Sequence, residues 1–558
     1  MNPRKGFLIS LLTVAALLLC VFAMPQSAHA AGESDLTFTL NATGDGYIVS
    51  ACDNSATGEL VIPGTYMGKP VTGIGDRAFY GCAGLTGVTI PDSVQSFGDW
   101  AFFGCLNLSY NEYRYGKYLG NANNPYMILV GIISNALTEF TVHPDTLAID
   151  AFVFSQCPGL TSITIPNKVT SIGSVAFAGC SLTAITIPDS VTTISDYAFL
   201  ACSQLKSVSL GSGLTGIGLG AFSNCSALTG IVIPDSVTSL ADSAFLGCTG
   251  LSSVTIGKGV TQIGSQAFQN CTGLTSVILG SGVSNIGSKA FAGCTGLTGI
   301  HLPISVTTIG SNAFDGCAKL TKISIPDSVT SIGDRAFQGC PLEYTLYDNG
   351  KYLGNGSNPY VVLVETASKD MTSFTIHSQT KILYQDALRD CGKLSSIVIP
   401  HRVTNIGANT IYHCAGLTNL VLPNSLLHIG QAAFGENAKL SSVIYCGTKE
   451  QWDNIVTPSA FGYNGTSTSV TIQFHNMVNG QCTICGPKNR VPGDMDGNGN
   501  VTYHDAVYLL LNLFFGEAFY PLDGAQADFD GNGIMDHDDP VYLLLHTMFG
   551  DAIYPLHG

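Results

Sequence analysis

Basic residues are scarce in this sequence. Only 11% of the 558 residues are charged, and 23 Lys and Arg stand against 39 Asp and Glu. Nucleic-acid binding depends on clusters of Lys and Arg that neutralise phosphates, so no nucleic-acid partner is expected. The low charge combined with abundant Val, Ile and Leu also argues against a disordered chain and indicates a β-rich, well-ordered structure.

Long apolar segments are absent beyond the N-terminus. One apolar run, 7–23, follows Arg4 and Lys5 and precedes Ala28-His29-Ala30, which has the small residues of a cleavage site. A run this short with these flanks is typical of a secretory signal peptide, here residues 1–30. We therefore expect a secreted, extracellular protein without a membrane span.

Motifs of catalysis are absent as well. The sequence contains no GxSxG, no HExxH and no phosphate-binding loop. The acidic residues of its central part recur at one position after a Pro, as at Asp92, Asp189, Asp235 and Asp327. A role repeated in this way belongs to turns, whereas a glycosidase needs one pair of carboxylates in a cleft. The sequence therefore predicts a protein that is not an enzyme.

Cysteine, by contrast, is plentiful, with 18 residues, but its spacing does not indicate a disulfide scaffold. Cysteines recur every 22 or 23 residues from Cys157 to Cys340, and 23 residues separate Cys82 from Cys105. One cysteine per period is the mark of a structural repeat. We expect each to be a small buried side chain, because a structural need recurs in every copy and an active site does not.

One copy of the repeat runs from Leu320 to Cys340, with alternating apolar residues up to Ile325, a Pro, and later Ala336-Phe337. A single strand per period cannot bury its apolar face, whereas stacked copies form a parallel sheet over one core. The pattern resembles the BspA-like leucine-rich repeats of bacterial surface proteins over roughly residues 34–445. The implied fold is a β-rich leucine-rich-repeat solenoid of parallel strands with about 23 residues per repeat.

Domain boundaries follow from the repeat. We expect an N-terminal β cap at 31–78, repeats at 79–447 and a C-terminal cap with a linker at 448–492. The outward positions of the predicted strands, such as Gly299/His301 and Lys322/Ser324, lack the Trp, Tyr and Arg of interface hot spots. This face is therefore expected to be a poor site for tight protein binding.

Two irregular segments, 106–150 and 341–385, interrupt the repeats. Both contain Gly-Lys-Tyr-Leu-Gly-Asn followed by Asn-Pro-Tyr. Asn-Gly and Asn-Pro steps form turns, and Tyr, Asn and Lys are frequent in recognition loops, although an internal cap that joins two stacks is an equal alternative. The candidate residues for a protein or glycan ligand are Tyr115, Tyr118, Tyr126, Tyr352 and Tyr360.

A Cys-x-x-Cys sequence follows the repeats. His475, Cys482 and Cys485 supply three candidate zinc ligands, and Cys446 is a candidate for the fourth. A disulfide or a pair of free thiols is the alternative, and both interpretations stay open.

Acidic residues are concentrated at the C-terminus, where residues 491–558 hold eleven Asp or Glu and no Lys or Arg. Two loops 34 residues apart place oxygen ligands at positions 1, 3, 5, 7 and 12, with Gly at position 6 for the sharp turn. This spacing predicts two calcium ions. The predicted ligands are Asp494, Asp496, Asn498, Asn500, Asp505, Asp528, Asp530, Asn532, Ile534 and Asp539.

Each loop precedes one apolar segment of helical character, 506–515 and 540–549, with no helix expected before the loop. This duplication, with Asp at position 12, resembles a type I dockerin over residues 493–558. The resemblance implies a small α-helical two-calcium module that binds a cohesin of a cellulosomal or cell-surface scaffold. It assigns the cohesin contacts to Tyr503, His504, Leu509, Leu510, His537, Asp538, Leu543 and Leu544.

The two halves differ at the positions that select the partner, Tyr503-His504 and His537-Asp538, so one binding orientation is expected. The sequence as a whole predicts a secreted, non-catalytic, scaffold-attached binding subunit. The alternative is a carbohydrate-adhesion component of polysaccharide degradation, in which the Tyr-rich segments stack on sugar rings.

Overall fold

The computed structural model describes residues 29–155, 157–455, 458–461 and 470–474. Most of the predicted signal peptide, the Cys-x-x-Cys sequence and the whole predicted dockerin lie outside these residues. The chain divides into two compact units, of which the first ends at Leu251 and the second begins at Ser252.

The first unit starts with a short 3₁₀ helix, Glu33–Asp35, among eight strands. Strands β2 and β3 form an antiparallel hairpin, β3 pairs in parallel with β6, and β6 pairs in parallel with β8. Strands β1, β4 and β7 form a second, parallel sheet beside it. The strands are β1 (His29–Ala30), β2 (Leu36–Leu40), β3 (Tyr47–Cys52), β4 (Ala56–Val61), β5 (Thr65–Tyr66), β6 (Lys69–Ile74), β7 (Leu85–Thr89) and β8 (Ser96–Phe97).

The first irregular segment forms an antiparallel meander of β9 (Asn111–Tyr113), β10 (Gly116–Leu119) and β11 (Ile128–Ile132). Regular turns with two short strands each follow. Each odd-numbered strand pairs in parallel with the next odd-numbered one, and among the even-numbered strands β12 pairs with β14 and β16 with β18. They are β12 (Glu139–Thr141), β13 (Ala148–Ile149), β14 (Ser162–Thr164), β15 (Ser171–Ile172), β16 (Ala184–Thr186), β17 (Thr193–Ile194), β18 (Ser207–Ser209), β19 (Gly216–Ile217), β20 (Gly230–Ile233) and β21 (Ser239–Leu240).

The second unit continues the same two-strand turn. Its strands again pair in parallel at one period, for example Asn285 with Thr308 and Thr308 with Ser331. These strands are β22 (Ser253–Ile256), β23 (Gln262–Ile263), β24 (Ser276–Ile278), β25 (Asn285–Ile286), β26 (Gly299–His301), β27 (Thr308–Ile309), β28 (Lys322–Ser324) and β29 (Ser331–Ile332).

The second irregular segment is also an antiparallel meander, and further parallel turns and a C-terminal helix follow it. The helix α1 (Lys449–Ile455) buries Trp452 against Tyr445, and the ring centroids lie 5.2 Å apart. A 3₁₀ helix spans Pro458–Phe461. The strands are β30 (Thr345–Tyr347), β31 (Gly350–Leu353), β32 (Val362–Thr366), β33 (Ile382–Leu383), β34 (Ser396–Val398), β35 (Asn405–Ile406), β36 (Asn419–Pro423), β37 (His428–Ile429), β38 (Ser442–Cys446) and β39 (Thr471–Phe474).

Phenylalanine forms a ladder inside each unit. In the first unit Phe177 stacks on Phe199 at 5.0 Å, and in the second Phe291 stacks on Phe314 at 5.4 Å. All four rings are fully buried. Burial of one such ring per turn supplies the hydrophobic stabilisation that an isolated turn lacks. The predicted solenoid of stacked parallel turns is therefore confirmed within each unit.

The cysteines form a second ladder, and their thiols make hydrogen bonds to backbone carbonyls that the sequence analysis did not predict. The thiol of Cys225 donates to the carbonyl of Phe199 at 3.2 Å, and that of Cys317 donates to Phe291 at 3.2 Å. Burial raises the pKa of the Cys248 thiol to about 12. Burial of the free cysteines is thus confirmed, with Cys340 partly exposed, and in the regular turns several thiols also donate a hydrogen bond to the preceding turn.

Candidate functional site

Each irregular segment takes the place of the next regular strand. After β28, the N–H of Ile325 donates to the carbonyl of Gly354 at 2.8 Å, and the Asn355 amide donates back to the Ile325 carbonyl at 3.0 Å. The first segment repeats the arrangement, with Gly120 and Asn121 bonding to Ile90. The turns that follow Gly120 and Gly354 therefore lie beside the outward-facing strands that precede each segment, at the edge of that surface.

Glycine is required at the start of both turns. A Cβ atom on Gly354 would lie 2.0 Å from the carbonyl oxygen of Asn358, and one on Gly120 would lie 2.0 Å from that of Asn124. Backbone contacts of this length cannot be relieved by rotating a side chain. The Gly-Asn-x-x-Asn-Pro sequence is thus a folding signal for the turn.

The Tyr-rich sequence of the second segment forms an aromatic cluster. The ring of Tyr360 stacks on His377 at 3.7 Å, and Tyr347 meets His377 edge-on at 4.7 Å. Tyr352 contacts Tyr360 edge-on at 5.5 Å, and its hydroxyl accepts the backbone N–H of His377 at 3.2 Å. The first segment has the same contacts among Tyr113, Tyr118, Tyr126 and His143.

The histidine of each cluster is held neutral. Burial lowers the pKa of His377 to about 4 and also lowers the pKa of His143. The Nδ1 atom of His377 accepts the N–H of Gln379 at 3.2 Å, which requires the unprotonated nitrogen. The histidines therefore serve as packing partners of the tyrosines.

These contacts correct part of the ligand-binding prediction. Tyr118 and Tyr352 are fully buried, so neither can contact a ligand, and the prediction was wrong for both. Tyr126 and Tyr360 are partly exposed, but a histidine covers one face of each ring. Tyr115 is exposed, at 55%, and stays a candidate. The internal-cap alternative accounts for the buried tyrosines.

Sequence reasoning missed the two histidines, although a signal was present. Tyr126 and Tyr360 are 234 residues apart, and the same distance separates His143 from His377. A shared offset between two copies of an irregular segment indicates residues that act together in each copy.

The structure places an open groove on the outward strand face of the second unit. Its floor is formed by β24, β26 and β28, and its far wall is the turn at Gly354–Gly356. The groove has a volume of about 570 Å³, which lies within the range of about 300–1,000 Å³ for small-ligand sites. The face that was expected to be a poor site for tight protein binding therefore contains a groove.

Gly299 creates the depth of this groove. It occupies the outward position of β26 between Ser276 and Lys322, and a Cβ atom there would meet only the Lys322 carbonyl at 3.4 Å and its Cβ at 3.7 Å. The missing side chain leaves room for a ligand group at the centre of the floor. Exposed His301 and Lys322 line one part of the groove, and exposed Glu343 lines another.

The groove offers groups that hydrogen-bond to polar ligands. Ser276, Ser324 and Asn355 contribute neutral donors and acceptors, and Lys322 and Glu343 contribute opposite charges. No pair of carboxylates lines it, so the arrangement offers no glycosidase geometry. Its chemistry suits reversible binding of an extended polar molecule.

The predicted metal and cohesin-binding residues, from Asp494 to Leu544, lie outside the described residues, as do His475, Cys482 and Cys485. Within the described ranges no group of three or more His, Cys, Asp or Glu could hold a metal ion. Cys446 is disulfide-bonded, which removes its thiolate from the candidate zinc ligands. Among the helices of the described part, none has the length and hydropathy needed to cross a membrane.

Stacked two-strand turns with a repeating Leu, Phe and Cys core define a leucine-rich repeat protein, a class that binds partners on extended surfaces. The chain matches the family described as BspA type leucine rich repeat region over residues 53–116, 133–251, 238–356 and 366–479. These matches cover more than half of the sequence. The chain belongs to the BspA-type leucine-rich repeat family.

Two solved structures are similar to this chain. A leucine-rich repeat protein from Bacteroides ovatus is 24% identical, with 81% of this chain and 99% of that chain covered and a TM-score of 0.33. A leucine rich cell surface protein from Faecalibacterium prausnitzii is 27% identical, with 78% and 100% covered and a TM-score of 0.29. No curated protein matches the sequence. The family assignment therefore rests on the repeat itself.

Proposed function

We propose that this protein is a secreted, non-catalytic binding subunit. Its leucine-rich repeats bind an extended polypeptide in the groove on β24, β26 and β28, and its C-terminal dockerin attaches it to a cohesin-bearing scaffold. The groove is the observation that carries the first half of the proposal. The duplicated calcium-loop sequence at 493–558 carries the second half.

A polypeptide fits the groove better than a compact small molecule. The groove is open along the strand face, and its polar lining can pair with the amide groups of an extended chain. Lys322 and Glu343 can pair with acidic and basic side chains of the ligand. The lining has no Trp, Tyr or Arg, so we expect moderate affinity, because such residues supply most hot spots.

Gly299→Trp tests the groove. The indole fills the centre of the floor, and Ser207→Trp places the same ring on the same outward position of β18 in the first unit as a matched control. Peptides are selected from a random decapeptide display library with the full chain, and their affinities are measured by titration calorimetry. Binding should be lost with Gly299→Trp and kept with Ser207→Trp. Peptides that bind all three proteins equally would place the site elsewhere.

A dockerin requires calcium for cohesin binding, and this provides the test of the second half. The full chain is assayed against a cohesin panel in calcium and in EDTA, beside a double variant with Asp494→Ala and Asp528→Ala. We expect binding only with calcium and only with intact loops, because Asp at position 1 is a direct ligand. Asp92→Ala, which removes an acid in a repeat turn, is the control and should bind normally. Failure with every cohesin in calcium would reject the docking assignment.

Carbohydrate adhesion through the Tyr-rich segments receives less support. A sugar ring stacks on a free aromatic face, and the faces of Tyr126 and Tyr360 are partly occupied by histidines. Tyr115 is exposed, but the aligned residue of the second segment is Asn349, so the two copies do not share this ring. The aromatic clusters are better explained as packing of the two insertions.

A further inference from the structure

The first unit carries a cluster of aromatic rings outside its core. Tyr80, Trp100, Phe103 and Phe152, here called the Trp100 patch, contact one another across three turns. Trp100 lies 4.6 Å from Phe152 and 5.1 Å from Phe103, and Tyr80 lies 5.8 Å from Phe103. Tyr80 is 40% exposed and the other three rings are partly exposed.

The core does not need these rings. A separate ladder of buried rings runs through the same turns, with Phe79 stacked on Phe102 at 5.0 Å. Trp100 and Phe152 each stand five residues before the cysteine of their turn. Most other turns carry a small or polar residue at this position. Examples are Gly220, Ser243, Gln266, Lys289 and Asn312.

The backbone disfavours large residues at this position. Trp100 has a φ of 60° and Phe152 a φ of 62°, in the left-handed region that Gly and Asn tolerate best. This region is unfavourable for any residue with a Cβ atom, and Val175, Tyr197 and Lys289 carry the same cost in other turns. Two adjacent turns therefore retain aromatic residues against a local conformational cost.

The aromatic rings are not required to join the insertion to its neighbouring turns. The second insertion has an equivalent junction, where Arg335, Gln338 and Asp386 occupy the positions of Trp100, Phe103 and Phe152. There Asp386 pairs with Arg389 at 3.0 Å. The same junction is thus built with polar residues in one unit and with partly exposed rings in the other.

The size and rim of the patch indicate its ligand. The four side chains have areas of about 150–250 Å² each and are exposed by 40% or less, so their solvent-accessible area is at most about 400 Å². This area is well below the roughly 800 Å² that each partner buries in a stable protein complex. The guanidinium of exposed Arg77 lies over the Trp100 ring, 6.0 Å from its centroid, and exposed Asp76 precedes Arg77 in the chain. Aromatic faces beside planar hydrogen-bonding groups match the C–H faces and hydroxyls of a pyranose.

We propose that the Trp100 patch binds a neutral polysaccharide whose sugar units carry equatorial hydroxyls, such as a β-linked glucan or xylan. The rings stack on the flat C–H faces, while Arg77 and Asp76 bond to the hydroxyls. This site is independent of the groove in the second unit and of the C-terminal docking sequence.

The test is affinity electrophoresis of the full chain in gels that contain hydroxyethyl cellulose, barley β-glucan or arabinoxylan. The variants use residues that other turns carry at the same positions: Trp100→Asn, as at Asn312, and Phe103→Gln, as at Gln338. Tyr197→Asn is the matched control, because Tyr197 is exposed, has a φ of 57° and stands at the same turn position outside the patch. Circular dichroism melting verifies that each variant is folded.

At least one polysaccharide should retard the wild-type chain. Trp100→Asn should weaken that binding about tenfold, and Phe103→Gln should weaken it less, because Trp has the largest apolar face of the four rings. Tyr197→Asn and Gly299→Trp should bind like the wild type. The proposal is overturned if none of the three polysaccharides retards the wild type, or if folded Trp100→Asn and Phe103→Gln both bind as tightly as Tyr197→Asn.

Discussion

A buried carboxylate holds the first insertion to the turn before it. In a regular turn the N–H of the core Phe donates to a carbonyl of the next turn, as Phe79 does to Ala101 at 2.9 Å. The N–H of Phe102 occupies the equivalent position, but the insertion follows its turn and supplies no backbone carbonyl there. The carboxylate of Asp150 accepts this N–H at 3.2 Å and that of Ala151 at 2.8 Å. The bond lies in the core, where ionising a carboxyl group is costly.

The cost makes stability depend on pH. Burial raises the pKa of Asp150 from 3.8 to about 7. The two N–H groups oppose this shift, and the negative charge of the nearby Asp99 adds to it. The pKa of Asp150 is higher in the folded than in the unfolded protein, so its ionisation lowers the free energy of unfolding. This loss of stability is absent below about pH 4, grows as the pH rises and is complete above about pH 7. At about 1.4 kcal/mol per pKa unit it reaches about 4 kcal/mol, of which about 2.5 kcal/mol develops between about pH 5 and pH 8.

Urea unfolding at several pH values measures this effect in the first unit. The sequence has two Trp residues, one in each unit, so a Trp452→Phe background leaves Trp100 as the reporter of the first unit. The unfolding free energy should fall by about 2–3 kcal/mol from about pH 5 to pH 8, and Asp150→Asn should remove most of that fall. His143, whose pKa is lowered, contributes an opposite slope that both proteins share.

Three results bear on the argument. An equal pH slope in Asp150→Asn and its parent would refute it, as would an unfolding free energy that rises steadily over this range. The second unit supplies an internal comparison, because there the hydroxyl of Tyr384 accepts the N–H of Phe337 in place of a carboxylate. A slope of similar size in a Trp100→Phe background, where Trp452 reports the second unit, would show that Asp150 is not the source.

Other predictions concern the remaining contacts. Tyr352→Phe leaves a buried N–H without an acceptor and should lower the unfolding free energy by about 1–3 kcal/mol in urea titrations followed by Trp452, whereas Tyr344→Phe should change it little. Cys225→Ala removes one thiol bond and one buried sulfur atom of the ladder and should cost at least about 1 kcal/mol in the same assay with Trp100 as the reporter; no loss would show that this thiol does not stabilise the unit. Calorimetric titration of the full chain with calcium should give two sites, and Asp505→Ala or Asp539→Ala should each remove one.

The repeat was readable from the sequence because its causes are local and recur. Cysteines at 22 or 23 residues mark the turn length, and the alternating run from Leu320 to Ile325 marks the strand. Stacking is the one way in which many identical amphipathic strands can bury their apolar faces. The family, the parallel strands and the burial of the thiols all follow from this pattern.

The candidate sites were less readable because they depend on neighbours far apart in the sequence. Gly299 is an ordinary residue of one repeat, and it forms the floor of a groove only because Ser276 and Lys322 flank it and the turn at Gly354–Gly356 closes one side. Tyr352 was selected for its composition, and the structure shows that it is buried. Which ring of a segment faces solvent is set by the packing of the whole segment.

By itself, the sequence determined the repeat length, the solenoid and the position of the two insertions, because periodicity records which side chains each turn must bury. The tertiary structure alone decided which residues of those insertions are buried and where the outward face becomes concave. It also decided that Trp100 and Phe152, 52 residues apart, share one exposed surface. Insertions of irregular length change which turns become neighbours, and no local pattern encodes that result.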